Sequence, residues 1–188
     1  ATAGFLGGCT TPRPPVRSGF IDAHVHVWTP DTAAFPIAAG YQKSGMQPPS
    51  FTVEEYLALS RPHGVTRTVL IQMSFYRFDN RYMLDAMRRY PGVFAGVGIV
   101  DDKAVRPQDV MRALAKQGVR GFRINPGSQT IDGWLGSSGM TEMWKCAGDD
   151  GLALCPLVGP NALAGIAVMC AKFPRTRVVI DHFARIGV

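Results

Sequence analysis

Two histidines in one short strand-like segment are the residues of this sequence best suited to chemistry. Between Ile21 and Val27, apolar and polar side chains alternate, and this alternation predicts that Asp22, His24 and His26 share one face of a strand. The Cα atoms of His24 and His26 are then roughly 6.5 Å apart, so both imidazoles can reach one ion with Zn–N bonds of about 2.0–2.1 Å. The pair indicates a metal site, the alternative being two hydrogen-bonded histidines in the core.

A third histidine, His182, follows Asp181 at the end of another apolar run. If both runs are parallel strands of one sheet, their ends open at the same edge, and His182 is predicted to join the first two histidines. Neutral imidazole binds zinc and also polarises carbonyl groups, so His182 is a candidate ligand or electrophile. The remaining histidine, His63, lies between a predicted helix and the next strand, and we expect it to be structural.

Two polar side chains are expected inside buried strands. A guanidinium at Arg123 is costly there unless it is paired. Arg123 therefore either meets a buried carboxylate such as Asp22 or binds an anionic substrate, and both alternatives stay open. Gln72 is a second candidate for substrate binding, although satisfying neighbouring polar groups is the commoner role of a buried amide.

The elements that must position these side chains alternate between strand and helix. Apolar runs rich in Val and Ile predict six strands, at residues 20–27, 66–73, 94–100, 119–124, 152–158 and 177–181. Helices are predicted from residue 52, where a capping box begins, and at about 80–90, 107–118, 141–149 and 162–173. This alternation predicts a parallel α/β fold, either an open sheet or a closed barrel.

The absence of nucleotide-binding motifs favours the barrel. Neither G-x-G-x-x-G nor G-x-x-x-x-G-K-[ST] opens any helix. A complete (β/α)8 barrel takes about 250 residues, so six strands in 188 residues fit a TIM barrel truncated after strand six. We expect a fragment, because the chain starts at Ala1 and Val188 closely follows the last strand. The long segment 29–50 is predicted to lie over the active-site face.

Residues 1–18 are expected to be a leader and linker, and residues 19–188 the incomplete barrel. The tetrapeptide Leu6-Gly7-Gly8-Cys9 is similar to the site at which bacterial lipoprotein signal peptides are cleaved and lipidated. It predicts a lipid anchor on Cys9 and export to the periplasm or membrane. The alternative is a leader with a chance cysteine on a cytoplasmic protein.

Composition narrows the partners. Twenty Lys and Arg residues against fourteen Asp and Glu give a net charge of +6, but the basic residues are scattered. Nucleic-acid binding calls for a basic stripe and is not expected, whereas a small anionic substrate fits the charge. The cysteines show no C-x-x-C spacing, and Cys146, Cys155 and Cys170 are predicted to be buried, inert thiols. The sequence makes no prediction of the oligomeric state.

Five segments in this order resemble the amidohydrolase-related TIM-barrel hydrolases, a group with sugar-lactone and dicarboxylate-lactone hydrolases and some decarboxylases. The segments are residues 21–28, 69–72, 79–82, 118–123 and 179–182. The resemblance covers residues 19–188. It implies that His24, His26 and His182 hold Zn²⁺ or another divalent metal, or polarise the substrate carbonyl directly. It also implies a structural or carboxylate-binding role for Arg123.

Two departures from the family pattern bear on the metal and the base. The fifth strand ends without the ligand histidine found in many amidohydrolases, so the resemblance implies one metal or none. The general-base aspartate expected after strand eight lies beyond Val188, and the fragment alone is expected to be inactive.

The implied activity is hydrolysis of a lactone or a related small carbonyl substrate. The alternatives are a decarboxylase of the same family, a non-catalytic barrel that binds a ligand, and an H-x-H phosphoesterase.

Overall fold

The computed structural model describes residues 19–187 as six parallel strands alternating with helices. The strands are β1 (Phe20–Val25), β2 (Val65–Ile71), β3 (Phe94–Ile99), β4 (Val119–Ile124), β5 (Ala153–Pro156) and β6 (Arg177–Val178). The helices are α1 (Val53–Ser60), α2 (Arg81–Arg89), α3 (Pro107–Lys116), α4 (Ile131–Leu135), α5 (Ser138–Asp150) and α6 (Leu163–Lys172). The strands lie in sequence order, each parallel to the next.

Contacts between distant strands show that the sheet is curled. Neighbouring strands lie about 4.8 Å apart, so β1 and β6 would be about 24 Å apart in a flat sheet. Instead, the ring centroids of His24 on β1 and His182 after β6 are 4.8 Å apart. Arg123 on β4 also reaches His24, at 3.1 Å. The prediction of six strands of a TIM barrel is confirmed, and the curl is what brings their carboxyl ends together.

The apolar core has two layers, because successive strand residues face opposite sides. Leu70 and Leu154 belong to the large cluster between the sheet and the helices. Ile71, Val97 and Cys155 form a small separate cluster on the inner face. This inner cluster lies beneath the polar residues at the carboxyl ends of the strands.

Several helix ends follow from local sequence chemistry. At α1 the capping box is complete, because Thr52 and Glu55 each accept a hydrogen bond from the other's backbone N–H. Helix α3 starts at Pro107, and the chain turns after it at Gly118, whose φ of 99° suits glycine. These features match the predicted ends of both helices.

Several elements differ from the sequence predictions. Strand β5 has four residues rather than seven, and β1 ends at Val25 rather than at residue 27. The five-residue helix α4 was not predicted, although Thr130 caps it by accepting a hydrogen bond from Gly133 N–H. Strand β6 has two residues rather than five, because it pairs only with residues Ala153 and Leu154 of β5. The sixth strand is therefore the shortest, and His182 lies in a turn beyond it.

The long segment 29–50 is fixed to the barrel. Trp28 donates its indole N–H to the Pro48 carbonyl at 2.9 Å and forms an isolated antiparallel bridge with Phe51. Met46 is 1% exposed, so the segment contributes to the core as well as covering it.

Other predictions concern the cysteines and the leader. Cys9 lies outside the described residues, so the lipid anchor and export stay predictions. Within residues 19–187, every helix is too short or too polar to cross a bilayer. Cys146 and Cys155 are buried as predicted, whereas Cys170 is half-buried. Burial raises the pKa of the Cys155 thiol to about 12, which keeps it protonated and inert.

Candidate active site

The structure brings the three predicted histidines to the carboxyl end of the sheet. His24 lies in β1 and His26 directly follows it, and their imidazole Nε2 atoms are 3.3 Å apart. Both rings are half-buried, whereas His182, at the start of a 3-10 turn after β6, is exposed. The ring of His182 nevertheless packs against that of His24.

Hydrogen bonds fix which nitrogen of each ring carries a proton. His26 Nδ1 is 2.9 Å from the Ile71 carbonyl oxygen, which can only accept, so Nδ1–H donates and Nε2 keeps its lone pair. Arg123 Nη2 is 3.1 Å from His24 Nε2, and a guanidinium can only donate, so this nitrogen also carries a lone pair. Two lone pairs therefore face each other across 3.3 Å.

Both rings are held in the neutral form. Burial first, and then the positive charge of Arg123, lower the pKa of His26 from 6.5 to about 4. The same two causes lower the pKa of His24. At neutral pH no proton lies between the two Nε2 atoms, and both imidazoles are available as ligands or as hydrogen-bonding groups.

The geometry of the pair fits two ligands of one metal ion. Two Zn–N bonds of about 2.0–2.1 Å at a tetrahedral angle separate the nitrogens by about 3.3 Å, the distance observed between His24 and His26. Among residues 19–187, no three His, Cys, Asp or Glu side chains are grouped closely enough to hold an ion. The described residues thus offer His26 Nε2 as a free ligand nitrogen, and His24 Nε2 as a second one once its lone pair leaves the Arg123 hydrogen bond, with His182 next to them.

Arg123 pairs with Asp181 rather than with Asp22. Its Nε donates to Asp181 Oδ2 at 2.8 Å, and the two side chains are 3% and 5% exposed. The predicted alternative in which Arg123 pairs with a buried carboxylate is confirmed. The partner is Asp181, however, and Asp22 as the partner is wrong. Arg123 keeps Nη2 for His24, so one buried guanidinium connects Asp181, which follows β6, to His24 of β1.

The Asp22 carboxylate lies on the outer side of β1, where it accepts a hydrogen bond from the His24 backbone N–H at 3.2 Å and not from a histidine ring. It also accepts a hydrogen bond from the Tyr56 hydroxyl of α1 at 3.1 Å, and Tyr56 also bonds to Thr68. The expected shared face of Asp22, His24 and His26 is wrong because of a β-bulge. Asp22 pairs with Thr68 and Val25 with Leu70, so three residue steps on β1 match two on β2.

Gln72 satisfies neighbouring backbone groups, which is the commoner role expected of a buried amide. The side chain is 1% exposed, and its Nε2 donates to the carbonyls of Arg77 at 3.2 Å and Asp79 at 2.7 Å. Gln72 therefore holds the loop after β2 and is not among the residues that line the cavity.

A cavity of about 380 Å³ opens beside the histidine cluster at the ends of β2, β3 and β4. Arg123 lines it and also contacts His24, so it joins the two parts of the site. Sequence reasoning missed the other polar lining residues that come from loops: Tyr41, Ser74, Arg77, Asp101, Asp102, Lys103, Ser128 and Gln129. No periodic pattern marks loop residues in a sequence.

His182 has a backbone conformation that L-residues disfavour. The residues from His182 to Arg185 have φ values of 52°, 50°, 53° and 57°, a left-handed turn without glycine. This turn, rather than a continued strand, sets the direction of the His182 side chain.

Comparisons with known proteins agree with this architecture. The family model described as Amidohydrolase matches residues 21–187. An L-fucono-1,5-lactonase of Burkholderia ambifaria is 32% identical over 175 residues, 88% of this chain and 57% of the relative. A 4-sulfomuconolactone hydrolase of Rhizobium radiobacter is 30% identical over 171 residues, 91% of this chain and 55% of the relative. The chain spans little more than half the length of these relatives.

Solved structures share the fold. A protein from Acinetobacter baumannii, described as a probable 2-pyrone-4,6-dicarboxylic acid hydrolase with citric acid bound, matches with a TM-score of 0.75 at 22% identity. The match covers 90% of this chain and 60% of that one. An amidohydrolase from Burkholderia multivorans with bound zinc matches with a TM-score of 0.68 at 19% identity, over 88% of this chain and 58% of that one. At these identities the likeness shows the fold alone.

Proposed function

The chain belongs to the amidohydrolase family, and from that premise we propose that the intact protein hydrolyses a small lactone. Water adds to the ester carbonyl, and the ring opens when the bond from the carbonyl carbon to the ring oxygen breaks. The similar L-fucono-1,5-lactonase and 4-sulfomuconolactone hydrolase both bear the names of lactone-opening enzymes.

The contact between Arg123 and His24 is the observation that carries this proposal. Attack on a carbonyl develops negative charge on its oxygen, and fixed donors aimed at that charge accelerate the reaction. Arg123 is held in place by Asp181 and lines the cavity in which a small molecule fits. Its guanidinium is therefore a preorganised donor at the boundary between binding cavity and histidines.

The histidines act in the neutral form in this proposal. His24 accepts from Arg123 and thereby presents its Nδ1–H as a donor, while His26 keeps an unprotonated Nε2 because Ile71 takes its Nδ1 proton. His182 is exposed beside them. The described residues thus polarise the carbonyl and orient water, and we expect the general base from elsewhere in the intact protein.

A divalent metal fits the same residues. His24 and His26 would hold it through their facing Nε2 atoms, and the single lone pair of His24 Nε2 would then leave its hydrogen bond with Arg123. His182 would be a further ligand only if its ring moved closer, because no three possible ligands among residues 19–187 are grouped closely enough to hold an ion. When bound, the ion supplies Lewis-acid polarisation of the carbonyl oxygen. One site of this kind is proposed, and zinc is the first candidate because neutral imidazole suits it.

The test is a panel of lactones with the intact protein. We expect ring opening of at least one among 4-sulfomuconolactone, 2-pyrone-4,6-dicarboxylate and L-fucono-1,5-lactone, followed by ultraviolet absorbance or by acid release at constant pH. His24→Asn serves as the inactive control. Failure to open any lactone, together with loss of CO₂ from an aromatic acid, would replace the proposal by the decarboxylase alternative.

A further inference from the structure

We propose that Arg77 selects lactones that carry an anionic group, and that Gln72 acts as its positioning residue. This inference rests on the proposed function and concerns the part of the cavity away from the histidines. His24, His26 and His182 are absent from the residues that line the cavity, whereas Arg77 and Arg123 both line it.

Arg77 lacks an acidic partner although an acid lies two residues away. The Arg81 side chain donates three hydrogen bonds to the Asp79 carboxylate, of 2.7, 2.9 and 3.0 Å. No ion pair in residues 19–187 includes Arg77. The Arg77 guanidinium is exposed, and its central carbon lies 5.6 Å from the ring centre of Phe78. It is therefore a cation on the cavity wall with its hydrogen-bond donors available.

The backbone of Arg77 is held in an unfavourable conformation. Its φ and ψ are 45° and −113°, a region that suits glycine and that other residues adopt only when their surroundings enforce it. Gln72 supplies that enforcement from a buried position, because its amide binds the carbonyls of Arg77 and Asp79. Glycine would adopt this backbone conformation at lower energetic cost. An arginine at this position is explained if its guanidinium binds a ligand in the cavity.

The chemistry of the wall defines what Arg77 binds. A planar guanidinium matches a carboxylate or a sulfonate through two parallel hydrogen bonds. The hydroxyl-bearing residues Tyr41 and Ser74 line the same cavity, as do a second exposed cation, Lys103, and two carboxylates, Asp101 and Asp102. Asp101 accepts a hydrogen bond from the Lys103 backbone N–H and Asp102 accepts one from the Gln129 amide, whereas the Arg77 guanidinium is not part of any ion pair within residues 19–187. An uncharged sugar lactone cannot form the charge-assisted pair with Arg77, so Arg77 should discriminate between anionic and neutral lactones.

The first test compares Arg77→Gln with the intact wild-type protein. We expect KM for the anionic lactones of the panel to rise about 10- to 100-fold, the range expected for a lost charge-assisted hydrogen bond, while kcat stays within about twofold. Kinetics with the neutral fuconolactone should not change. Arg61→Gln is the matched control, because Arg61 is exposed in a turn at the opposite end of the barrel. Equal losses on anionic and neutral lactones would overturn the inference.

Two further variants separate selection from structure. Arg77→Gly removes the guanidinium and relieves the backbone, so thermal stability should rise while selectivity for anions is lost. Gln72→Met removes both amide hydrogen bonds and should raise KM for anionic lactones alone. If Gln72→Met lowers kcat on every lactone equally, Gln72 is only structural and its positioning role fails.

Binding of glutarate, measured by calorimetry, separates this inference from the proposed function. If no lactone is opened but glutarate binds to wild type and at least tenfold more weakly to Arg77→Gln, the anion site stands and the hydrolase proposal falls. If lactones are opened and Arg77→Gln keeps both glutarate affinity and KM, the hydrolase proposal stands and the anion site falls.

Discussion

Arg123 of β4 and Asp181 after β6 form an ion pair of 2.8 Å that is almost fully buried. A buried charge that loses its partner is destabilising by about 3–5 kcal/mol. We expect Asp181→Asn to lower the free energy of unfolding by that amount in urea denaturation of the intact protein. Asp149→Asn, which breaks the exposed pair with Arg175, should cost under about 1 kcal/mol. Similar losses for both variants would show that burial of the pair does not matter.

The histidine cluster predicts a contrast among four histidines. Replacing His24, His26 or His182 with Asn should lower lactone turnover by about 10²-fold or more, because each removes a group that we propose to polarise the carbonyl. His63→Asn is the matched control, since His63 is exposed in a turn between α1 and β2. Near-normal turnover of the His182 variant would remove that residue from the catalytic set.

The facing lone pairs of His24 and His26 predict one metal site. Elemental analysis of the intact protein should find no more than one zinc ion per chain after incubation with Zn²⁺ and removal of excess metal. The double variant His24→Asn/His26→Asn should lose that ion. Two ions per chain, or zinc retained by the double variant, would contradict the assignment.

The depressed pKa of His26 predicts how stability depends on pH. Between pH 6.5 and about 4, His26 is protonated in the unfolded chain but stays neutral in the folded protein, because burial and the charge of Arg123 disfavour the protonated ring. The free energy of unfolding should therefore fall as pH drops through this range, by on the order of 2 kcal/mol after allowing for partial solvent exposure, and level off below it. The measurement uses chelator-treated protein.

His26→Asn is the control for this titration. An asparagine amide can still donate to the Ile71 carbonyl, but it takes up no proton. The pH dependence between 6.5 and 4 should be visibly flatter in the variant. An unchanged slope would assign the effect to another group.

The left-handed turn after β6 predicts an inverted preference at Phe183, which is 87% exposed with φ of 50°. In an ordinary helix, alanine is more stabilising than glycine by about 1 kcal/mol. At Phe183 we expect Phe183→Gly to be more stable than Phe183→Ala by about 1 kcal/mol, because only glycine adopts this φ without steric cost. Chemical denaturation of both variants decides the sign.

Much of the fold could be predicted because the strands are continuous apolar runs and the helices have local caps. The capping box at Thr52 and the glycine after α3 needed no knowledge of tertiary structure. Helix α4 was missed because its five residues are too few to show a period. Strand β6 was predicted too long because its length depends on pairing with β5, which composition does not show.

The sequence predicted which residues belong to the site better than it predicted their contacts with one another. His24, His26, His182 and Arg123 all converge, as their positions at strand ends indicated. Asp22 was misplaced because the bulge in β1 breaks the alternation from which its face was inferred. The residues from His182 to Arg185 are all poor formers of a left-handed turn. No glycine or asparagine in this segment therefore predicted that conformation.

The curl of the sheet also governs when the site comes into being during synthesis. His24 leaves the ribosome about 160 residues before His182, and at about 5–20 residues per second the wait is roughly 10–30 s. In that interval the first histidine pair has neither Arg123 nor Asp181 beside it for most of the time. In the nascent chain the two imidazoles lack the buried surroundings of the finished site, and Arg123 gains its carboxylate partner only when the segment after the sixth strand has been made.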